Sequence, residues 1–334
     1  MNLRLPSLRL AVALCAAMIL LVACGSGGDD EPTPLPPSPT PDDGSPRGTP
    51  LSRDQLQELA AFFPDNPLSG GQAAPRMYKW LNEDVAMFVE FDKPRVAEAT
   101  AVRYFGISMK GVNCAEARPD RSFTHFDRLT APTYGQGSPA PGEAGYWLSA
   151  IAVDTFTNQG KQVRPGIDYD YLLSNAPSCG ANVPAADFVA PGARRLTPEE
   201  IASIGAFFNE PIFLGGQVAP RMYRWVNENV SLFVQWDRGN PSGTAAFNPT
   251  QATSLRYIGI GVKGEFCQSN LPSEDFPHFH RFEAATYAEG HGGPPHTKGV
   301  WLFWVATEPF EQQGRQINPG VDRDFSRIPI EQSC

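Results

Sequence analysis

Residues 51–92 read LSRDQLQELAAFFPDNPLSGGQAAPRMYKWLNEDVAMFVEFD, and residues 196–237 read LTPEEIASIGAFFNEPIFLGGQVAPRMYRWVNENVSLFVQWD. About 19 of these 42 positions are identical without a gap, which is far above chance, so one unit occurs twice in the chain. After an insertion of about eight residues in the second copy the match resumes through the later segments. Because the period is about 145 residues, each copy is long enough to be a domain rather than a solenoid repeat.

Each copy begins with the start signal of a helix. An N-cap residue followed three positions later by Gln or Glu forms a capping box, in the pairs Ser52 with Gln55 and Thr197 with Glu200. We expect the helices to end near Phe63 and Phe208, where Pro, Asn and Gly become frequent.

Beyond the Gly-Gly-Gln turn, the hydrophobic pattern changes from a helical period to a period of two, which predicts strands. The alternating residues are Val85, Met87, Val89 and Phe91 in the first copy and Val230, Leu232, Val234 and Trp236 in the second. Further strands are predicted around Tyr104, His125 and Trp147, and around Tyr257, His278 and Trp301.

One helix followed by four or five antiparallel strands predicts an α+β fold, with two tandem homologous domains that each pack an N-terminal helix on an antiparallel sheet. The arrangement is cystatin-like by architectural analogy, and a β-sandwich with a peripheral helix is the alternative. The predicted repeat domains are residues 51–180 and 196–334, joined by a linker at 181–195.

The composition excludes several classes of protein. The chain of 334 residues is 41% hydrophobic, which is too apolar for wholesale disorder. Its 27 Lys and Arg residues against 36 Asp and Glu residues give a net charge of -9, which is the wrong sign for a nucleic-acid partner.

The first 24 residues combine a basic start, an apolar run and a small-residue zone, which is the pattern of a signal peptide. At Leu21-Val22-Ala23-Cys24 the segment resembles the lipobox of bacterial lipoprotein precursors. This resemblance implies removal of residues 1–23, a diacylglyceryl group on the Cys24 sulfur and an acyl group on its new amine. It also implies a place in the bacterial cell envelope, lipid-anchored and extracytoplasmic, and at the outer membrane if the host is Gram-negative.

Residues 24–50 are predicted to be a lipidated cysteine followed by an acidic tether. The stretch 25–50 contains eight Pro and almost no apolar residue, so it lacks the material for a core.

The cysteines fit the same division of the chain. Cys15 belongs to the signal peptide and Cys24 is the lipidation site, which leaves four at matching places in the two copies. Four cysteines allow three pairings, and the repeat favours the one in which each copy closes its own bridge. The predicted disulfides are Cys114–Cys179 and Cys267–Cys334.

Four histidines of the second copy form a candidate site for Zn or Cu, because closely spaced imidazoles suit these metals. They are His278, His280, His291 and His296. On a strand, His278 and His280 would point to the same face. The alternative interpretation is that all four are surface and turn histidines.

The motif GGQxAPRMYxWxNE, which occurs in both copies, has two interpretations. It could form a ligand groove for a sugar or peptide, with candidate residues Gln72, Arg76, Trp80, Gln217, Arg221 and Trp225. It could instead shape a turn and fill the core, with Asn-Glu at the bend of a hairpin, and we favour this structural interpretation because folding needs the same residues in both copies.

Two further motifs give weaker indications of function. Carboxylates after a Pro-Gly turn, at Asp168 with Asp170 and at Asp322 with Asp324, are too few for a typical Ca²⁺ site. The chain has no nucleophile elbow, Walker loop or zincin motif, so no catalytic residue is predicted.

The sequence therefore predicts a membrane-anchored extracytoplasmic lipoprotein with a duplicated, non-enzymatic binding domain. Its partners would be the membrane, through the lipid, and an envelope or extracellular ligand. The alternative is a metal-binding or metal-dependent protein that uses the four histidines.

Overall fold

The computed structural model of the protein describes most of the two copies. The described residues are 48–63, 76–120, 122–123, 125–128, 140–158, 160–168, 175–188, 190, 192–208, 221–238, 250–272, 276, 278–281, 296–312, 314–322, 330 and 333–334. The lipobox, most of the tether, Gln72, Gln217 and His291 lie outside these residues.

Both helices form where the sequence predicts them, as α1 at Arg53–Ala61 and α2 at Pro198–Phe207. In α1, the Ser52 side chain accepts the backbone N–H of Gln55, while the Gln55 side chain accepts the N–H of Ser52. The same reciprocal capping box opens α2, so both predicted boxes are confirmed.

The strands of the first copy are antiparallel. They are β1 at Arg76–Trp80, β2 at Val85–Phe91, β3 at Val102–Val112, β4 at His125–Arg128, β5 at Ala144–Ala152, β6 at Phe156–Asn158, β7 at Lys161–Val163 and β8 at Gly166–Ile167. The main sheet has the order β1-β2-β3-β5-β4, with β8 paired to β5, and β6 and β7 form a separate hairpin.

The second copy repeats this topology strand by strand. Its strands are β9 at Arg221–Trp225, β10 at Val230–Trp236, β11 at Leu255–Glu265, β12 at His278–Arg281, β13 at Lys298–Ala306, β14 at Phe310–Gln312, β15 at Arg315–Ile317 and β16 at Gly320–Val321. In the described part of the chain the fold is thus mostly antiparallel sheet with two helices, in two sheet-rich halves.

An asparagine shapes the first hairpin of each copy, as its place in the motif predicts. The side-chain oxygen of Asn82 accepts the N–H groups of Asp84 and Val85, both at 2.9 Å. Asn227 does the same in the second copy. These bonds satisfy the donors of the turn and fix the register in which β1 pairs with β2.

The two faces of each sheet have different neighbours. One face of both sheets, together with α1 and α2, contributes to a single hydrophobic cluster that runs through both copies. The other faces have separate clusters, one around Tyr78 and Trp80 and one around Tyr223 and Trp304. The copies therefore share their largest core and lie in one compact unit that includes Gly44–Cys334.

The sheets are strongly curved toward these separate clusters. Strands β1 and β4 lie at opposite edges of the first sheet, which in a flat sheet would be about 19 Å apart at about 4.8 Å per strand spacing. Yet Arg76 on β1 forms an ion pair with Asp127 on β4. The face that carries these two residues is thus concave, and we call it the concave face.

The hairpins that follow β5 and β13 were not predicted from the sequence. In the first copy, Phe156 of β6 packs edge-on against Tyr104, and Val163 of β7 is buried in the hydrophobic cluster around Tyr78 and Trp80. Phe310 takes the same position against Tyr257 in the second copy. Each hairpin covers part of its concave face.

The two predicted disulfides are confirmed. Cys114 bonds to Cys179 and Cys267 bonds to Cys334. Each bridge closes a loop within one copy, with a sequence separation of 65 in the first and 67 in the second.

Neither α1 nor α2 has the length and apolar content of a membrane-spanning segment.

Candidate functional site

A buried arginine lies at the centre of the concave face in the first copy. The Nε and Nη2 groups of Arg76 donate to one oxygen of Glu90, at 3.2 and 3.0 Å. Its Nη1 donates to Asp127 Oδ2 at 2.5 Å. Because Glu90 lies on the adjacent strand and Asp127 on the opposite edge, one guanidinium connects both sides of the curved sheet.

His125 extends this cluster toward the surface. Its Nε2 lies 2.8 Å from the second carboxylate oxygen of Asp127, and its side chain is 17% exposed, whereas the side chain of Asp127 is fully buried. Asp127 therefore contacts a guanidinium on one oxygen and an imidazole on the other. The four residues Arg76, Glu90, His125 and Asp127 are the copy 1 cluster.

Burial is the largest influence on the pKa of Glu90 in the copy 1 cluster. It raises the pKa of the Glu90 carboxyl above its ordinary value, although the charge and hydrogen bonds of Arg76 act in the opposite direction. Asp127 adds to the rise because it is a second negative charge nearby.

The second copy places another set of side chains around the equivalent arginine. Nε and Nη2 of Arg221 donate to the amide oxygen of Gln235, at 3.1 and 2.8 Å, where the first copy has Glu90. Nη1 of Arg221 lies 3.3 Å from Nε2 of His280, where the first copy has Asp127. The residues Arg221, Gln235, His278 and His280 are the copy 2 cluster.

Aromatic rings hold both guanidinium groups in place. Arg76 lies 5.4 Å from the centroid of the Phe88 ring, and Arg221 lies 5.4 Å from that of Phe233 and 5.8 Å from that of Trp304. Such cation–π contacts gain strength when the cation is desolvated. The position of the arginine is thus conserved between the copies even though its polar partners differ.

His280 is electrostatically unlike its counterpart in the first copy. Burial lowers its pKa well below 6.5, and the neighbouring His278 and the charge of Arg221 act in the same direction. His280 is therefore neutral at pH 7, whereas the equivalent Asp127 contributes a carboxylate partner for arginine.

The four histidines predicted to bind metal have three different placements. His278 and His280 are both 2% exposed, and their ring centroids lie 4.2 Å apart on β12. His296 is exposed and its Nδ1 lies 3.5 Å from Glu265, and His291 is outside the described residues.

The groups of three candidate metal ligands within the described ranges do not include a histidine. They are Cys114, Glu116 and Cys179 in one copy and Glu265, Cys267 and Cys334 in the other. The cysteines in both groups form disulfides, so they offer no thiolate to a metal. The metal site remains a prediction that depends on His291.

The predicted ligand-groove residues in the described ranges are buried. Arg76 is 4% exposed and Trp80 1%, and Arg221 and Trp225 are both 6% exposed. They fill the concave faces, which favours the structural interpretation of the GGQxAPRMYxWxNE motif. The groove itself stays a prediction, since Gln72 and Gln217 lie outside the described residues.

Of the aspartates after the Pro-Gly turns, Asp168 and Asp322 bond to tyrosines, and Asp170 and Asp324 lie outside the described residues. The hydroxyl of Tyr104 donates to Asp168 Oδ2 at 2.5 Å, and that of Tyr257 donates to Asp322 Oδ2 at 2.6 Å. Both aspartates are buried, which supports a structural role that ties the last strands to β3 and β11.

Sequence reasoning missed Glu90, Asp127 and Gln235 as partners of the arginines. A signal was present, since Glu90 and Gln235 follow hydrophobic strand residues at positions that face the concave side. A charged or amide group at such a position needs a buried partner, and a conserved arginine stands 14 residues earlier in both copies.

Comparison of the chain with protein families, with curated proteins and with solved structures found no match.

We expect Arg76→Leu to destabilise the protein more than the matched variant Arg221→Leu. Loss of Arg76 leaves two buried carboxyls without their cation and should cost about 3 to 5 kcal/mol in the free energy of unfolding. Loss of Arg221 leaves a neutral amide and an imidazole and should cost about 1 to 3 kcal/mol. Chemical denaturation at pH 8 measures both values.

The difference in stability between these two variants should also depend on pH. In Arg76→Leu the buried carboxyls can be neutralised by protons, so its deficit relative to wild type should shrink between pH 8 and pH 5. Equal losses for both variants at pH 8 would contradict the role given to the carboxylates.

Acidification should destabilise the wild-type protein through His280. A histidine whose pKa is lowered by folding binds its proton more readily in the unfolded chain. Its contribution to stability is therefore complete above about pH 6.5 and is lost as the pH falls below that value, by up to about 1.4 kcal/mol per pH unit. His280→Asn should lose less stability than wild type between pH 7 and pH 5 in thermal melts, and His296→Asn, with an exposed ring, serves as the control. A steeper pH dependence in His280→Asn would contradict this explanation.

Proposed function

We propose that the protein is a lipid-anchored extracytoplasmic lipoprotein whose duplicated unit binds an envelope or extracellular partner without catalysis. The segment Leu21-Val22-Ala23-Cys24 supports the anchor, and the Pro-rich acidic stretch after it suits a spacer between membrane and unit. Several acyl chains on one cysteine would anchor firmly, where a single chain binds only marginally.

The use of the cysteines is the observation that carries this proposal. All four cysteines within the two copies form disulfides, one bridge in each copy. Such bonds persist outside the cytoplasm, in oxidising compartments. Neither bridge includes Cys24, which is the lipidation site that the lipobox implies.

A non-enzymatic role agrees with the concave faces. In the copy 1 cluster the guanidinium is bonded to two carboxylates, and in the copy 2 cluster it is held by an amide and two aromatic rings. These contacts orient and lock the buried groups. We therefore assign the clusters to the stability of a rigid scaffold that presents its surface loops to a partner.

For the finer architecture we propose that each copy is a helix-on-sheet unit, in which the N-terminal helix packs on the antiparallel sheet of its own copy. The support is the shared core, which takes residues from one face of each sheet and from both helices. The alternative is a β-sandwich in which the helices are peripheral.

The anchoring proposal predicts the behaviour of Cys24→Ser. This variant should lose incorporation of labelled fatty acid and should move from the membrane fraction to the soluble fraction. The matched control is Cys15→Ser, which changes a cysteine in the apolar run but leaves the lipobox intact. If Cys24→Ser keeps its acyl label and membrane partition, the lipoprotein proposal is wrong.

Metal binding is the second candidate function. It is favoured by one observation, the 4.2 Å separation of the His278 and His280 rings on one face of β12. The contact of His280 Nε2 with Arg221 weighs against it, because a guanidinium repels a cation at the same nitrogen.

Metal analysis of the unit Gly44–Cys334 tests this candidate. If the histidines bind Zn or Cu, the purified unit should hold about one equivalent, and the double variant His278→Ala with His280→Ala should hold none. His125→Ala, at the equivalent position of the first copy, should leave the content unchanged. The absence of bound metal, together with no rise in melting temperature on adding Zn or Cu, would reject the candidate.

A further inference from the structure

The segment that precedes each helix contacts the other copy, and we call it the entry segment. The backbone N–H of Leu51, before α1, donates to the carbonyl of Val226 in the second copy at 3.3 Å. The N–H of Leu196, before α2, donates to the carbonyl of Leu81 in the first copy, also at 3.3 Å. Leu51 and Leu196 are equivalent in the repeat, as are Leu81 and Val226, so the contact is reciprocal.

Residues just upstream of Leu51 and Leu196 also contact the other copy. Gly48 lies against the second copy so closely that a Cβ atom there would be 2.3 Å from the Asn227 carbonyl oxygen and 2.7 Å from the Trp225 ring. The equivalent residue of the second copy, Ala193, packs against the hydrophobic cluster of the first copy around Tyr78 and Trp80. The segment before each helix therefore packs against buried residues of the other copy.

Side chains join the copies at two further points. Phe62 and Phe207, at the ends of α1 and α2, make an edge-to-face contact with centroids 5.0 Å apart. Lys79 on β1 pairs with Glu200 on α2, and both are largely buried. Hydrogen bonds from Arg194, with those of Lys79 and the Thr197 N–H, lower the pKa of Glu200 to about 2, so the carboxylate is ionised at neutral pH.

We infer that the two copies form an intramolecular dimer with an isologous interface, in which each copy is completed by the segment that precedes the other. The partner that this surface fits is another copy of the same repeat. In a two-fold interface residue i contacts residue j while j contacts i, and the pairs Leu51 with Val226 and Leu196 with Leu81 obey that relation.

The ion pair between Lys79 and Glu200 distinguishes the two copies at this interface. The residue equivalent to Glu200 in the first copy is the neutral Gln55. A first copy paired with another first copy would thus set Lys79 opposite Gln55 and lose the ion pair. The charge pattern therefore disfavours a pairing of two first copies.

Cleavage of the linker tests the inference on the full chain. A specific protease site placed at residues 181–184, where Val183 is 52% exposed, separates the copies covalently because each disulfide stays within one copy. We expect the cleaved halves to remain a one-to-one complex at the mass of the intact chain, measured by size exclusion with light scattering under native conditions. Halves that separate without denaturant would overturn the inference.

A point variant locates the interface. In the cleaved protein Lys79→Gln should raise the Kd of the halves by about fivefold or more, because it removes the ion pair with Glu200. Lys79 is preferred to Glu200 as the site of change because Glu200 also caps α2. Arg95→Gln, which breaks an exposed ion pair within the first copy, is the matched control and should leave Kd unchanged.

Circular dichroism of the uncleaved variants is the control that both are folded. Equal Kd values for Lys79→Gln and Arg95→Gln would overturn the assignment of this interface. The outcome is independent of the lipid anchor, so it stands or falls separately from the Cys24→Ser experiment.

Discussion

The guanidinium of Arg76 lies between carboxylates from two different strands, one adjacent to its own and one at the far edge of the sheet. A flat sheet would hold these edges too far apart for the contact, so the ion pair requires the curvature. The curvature in turn creates a concave face narrow enough to be filled by one hairpin and one linker segment. The buried charge is stable only because this geometry supplies both partners at once.

The copies maintain the same arginine with different chemistry. Glu90 and Asp127 are replaced by Gln235 and His280, so ion pairs give way to contacts with an amide and a neutral imidazole. A second aromatic ring, that of Trp304, lies near the arginine in the copy that lacks the carboxylates. Both copies thus keep a guanidinium at this position, whereas its polar partners differ between the copies.

Local sequence predicted much of the fold, because its signals act over a few residues. The capping boxes, the Asn82 turn and the period-two strands each depend on neighbours in the chain, and the disulfides were read from the repeat itself. The partners of Arg76 were missed because Asp127 lies 51 residues away, and strand order with curvature determines that contact.

The candidate site was harder to predict than the fold for the same reason. Histidine spacing brought His278 and His280 together correctly on one strand face, but spacing alone carried no information about Arg221, which lies beside them. In the described part of the GGQxAPRMYxWxNE motif, Tyr78 and Trp80 are buried and Asn82 bonds within the turn, which favours the structural interpretation. Whether a side chain faces solvent or a concave interior depends on how the whole sheet bends, and no short motif encodes that.

The crossing of the entry segments has a consequence for the order in which the protein can fold. The concave face of the first copy is covered by Phe188 and Ala193, and its hairpin receives the Leu196 amide, all of which follow the copy in the chain. The packing of a nascent first copy is therefore incomplete until the start of the second copy has been made. The contact of Gly48 with Trp225 forms later still. The largest core draws on both copies, so its contacts are separated by long stretches of chain and form slowly. The native packing of both copies is therefore complete only after the last third of the chain, which begins near Trp225, has been made.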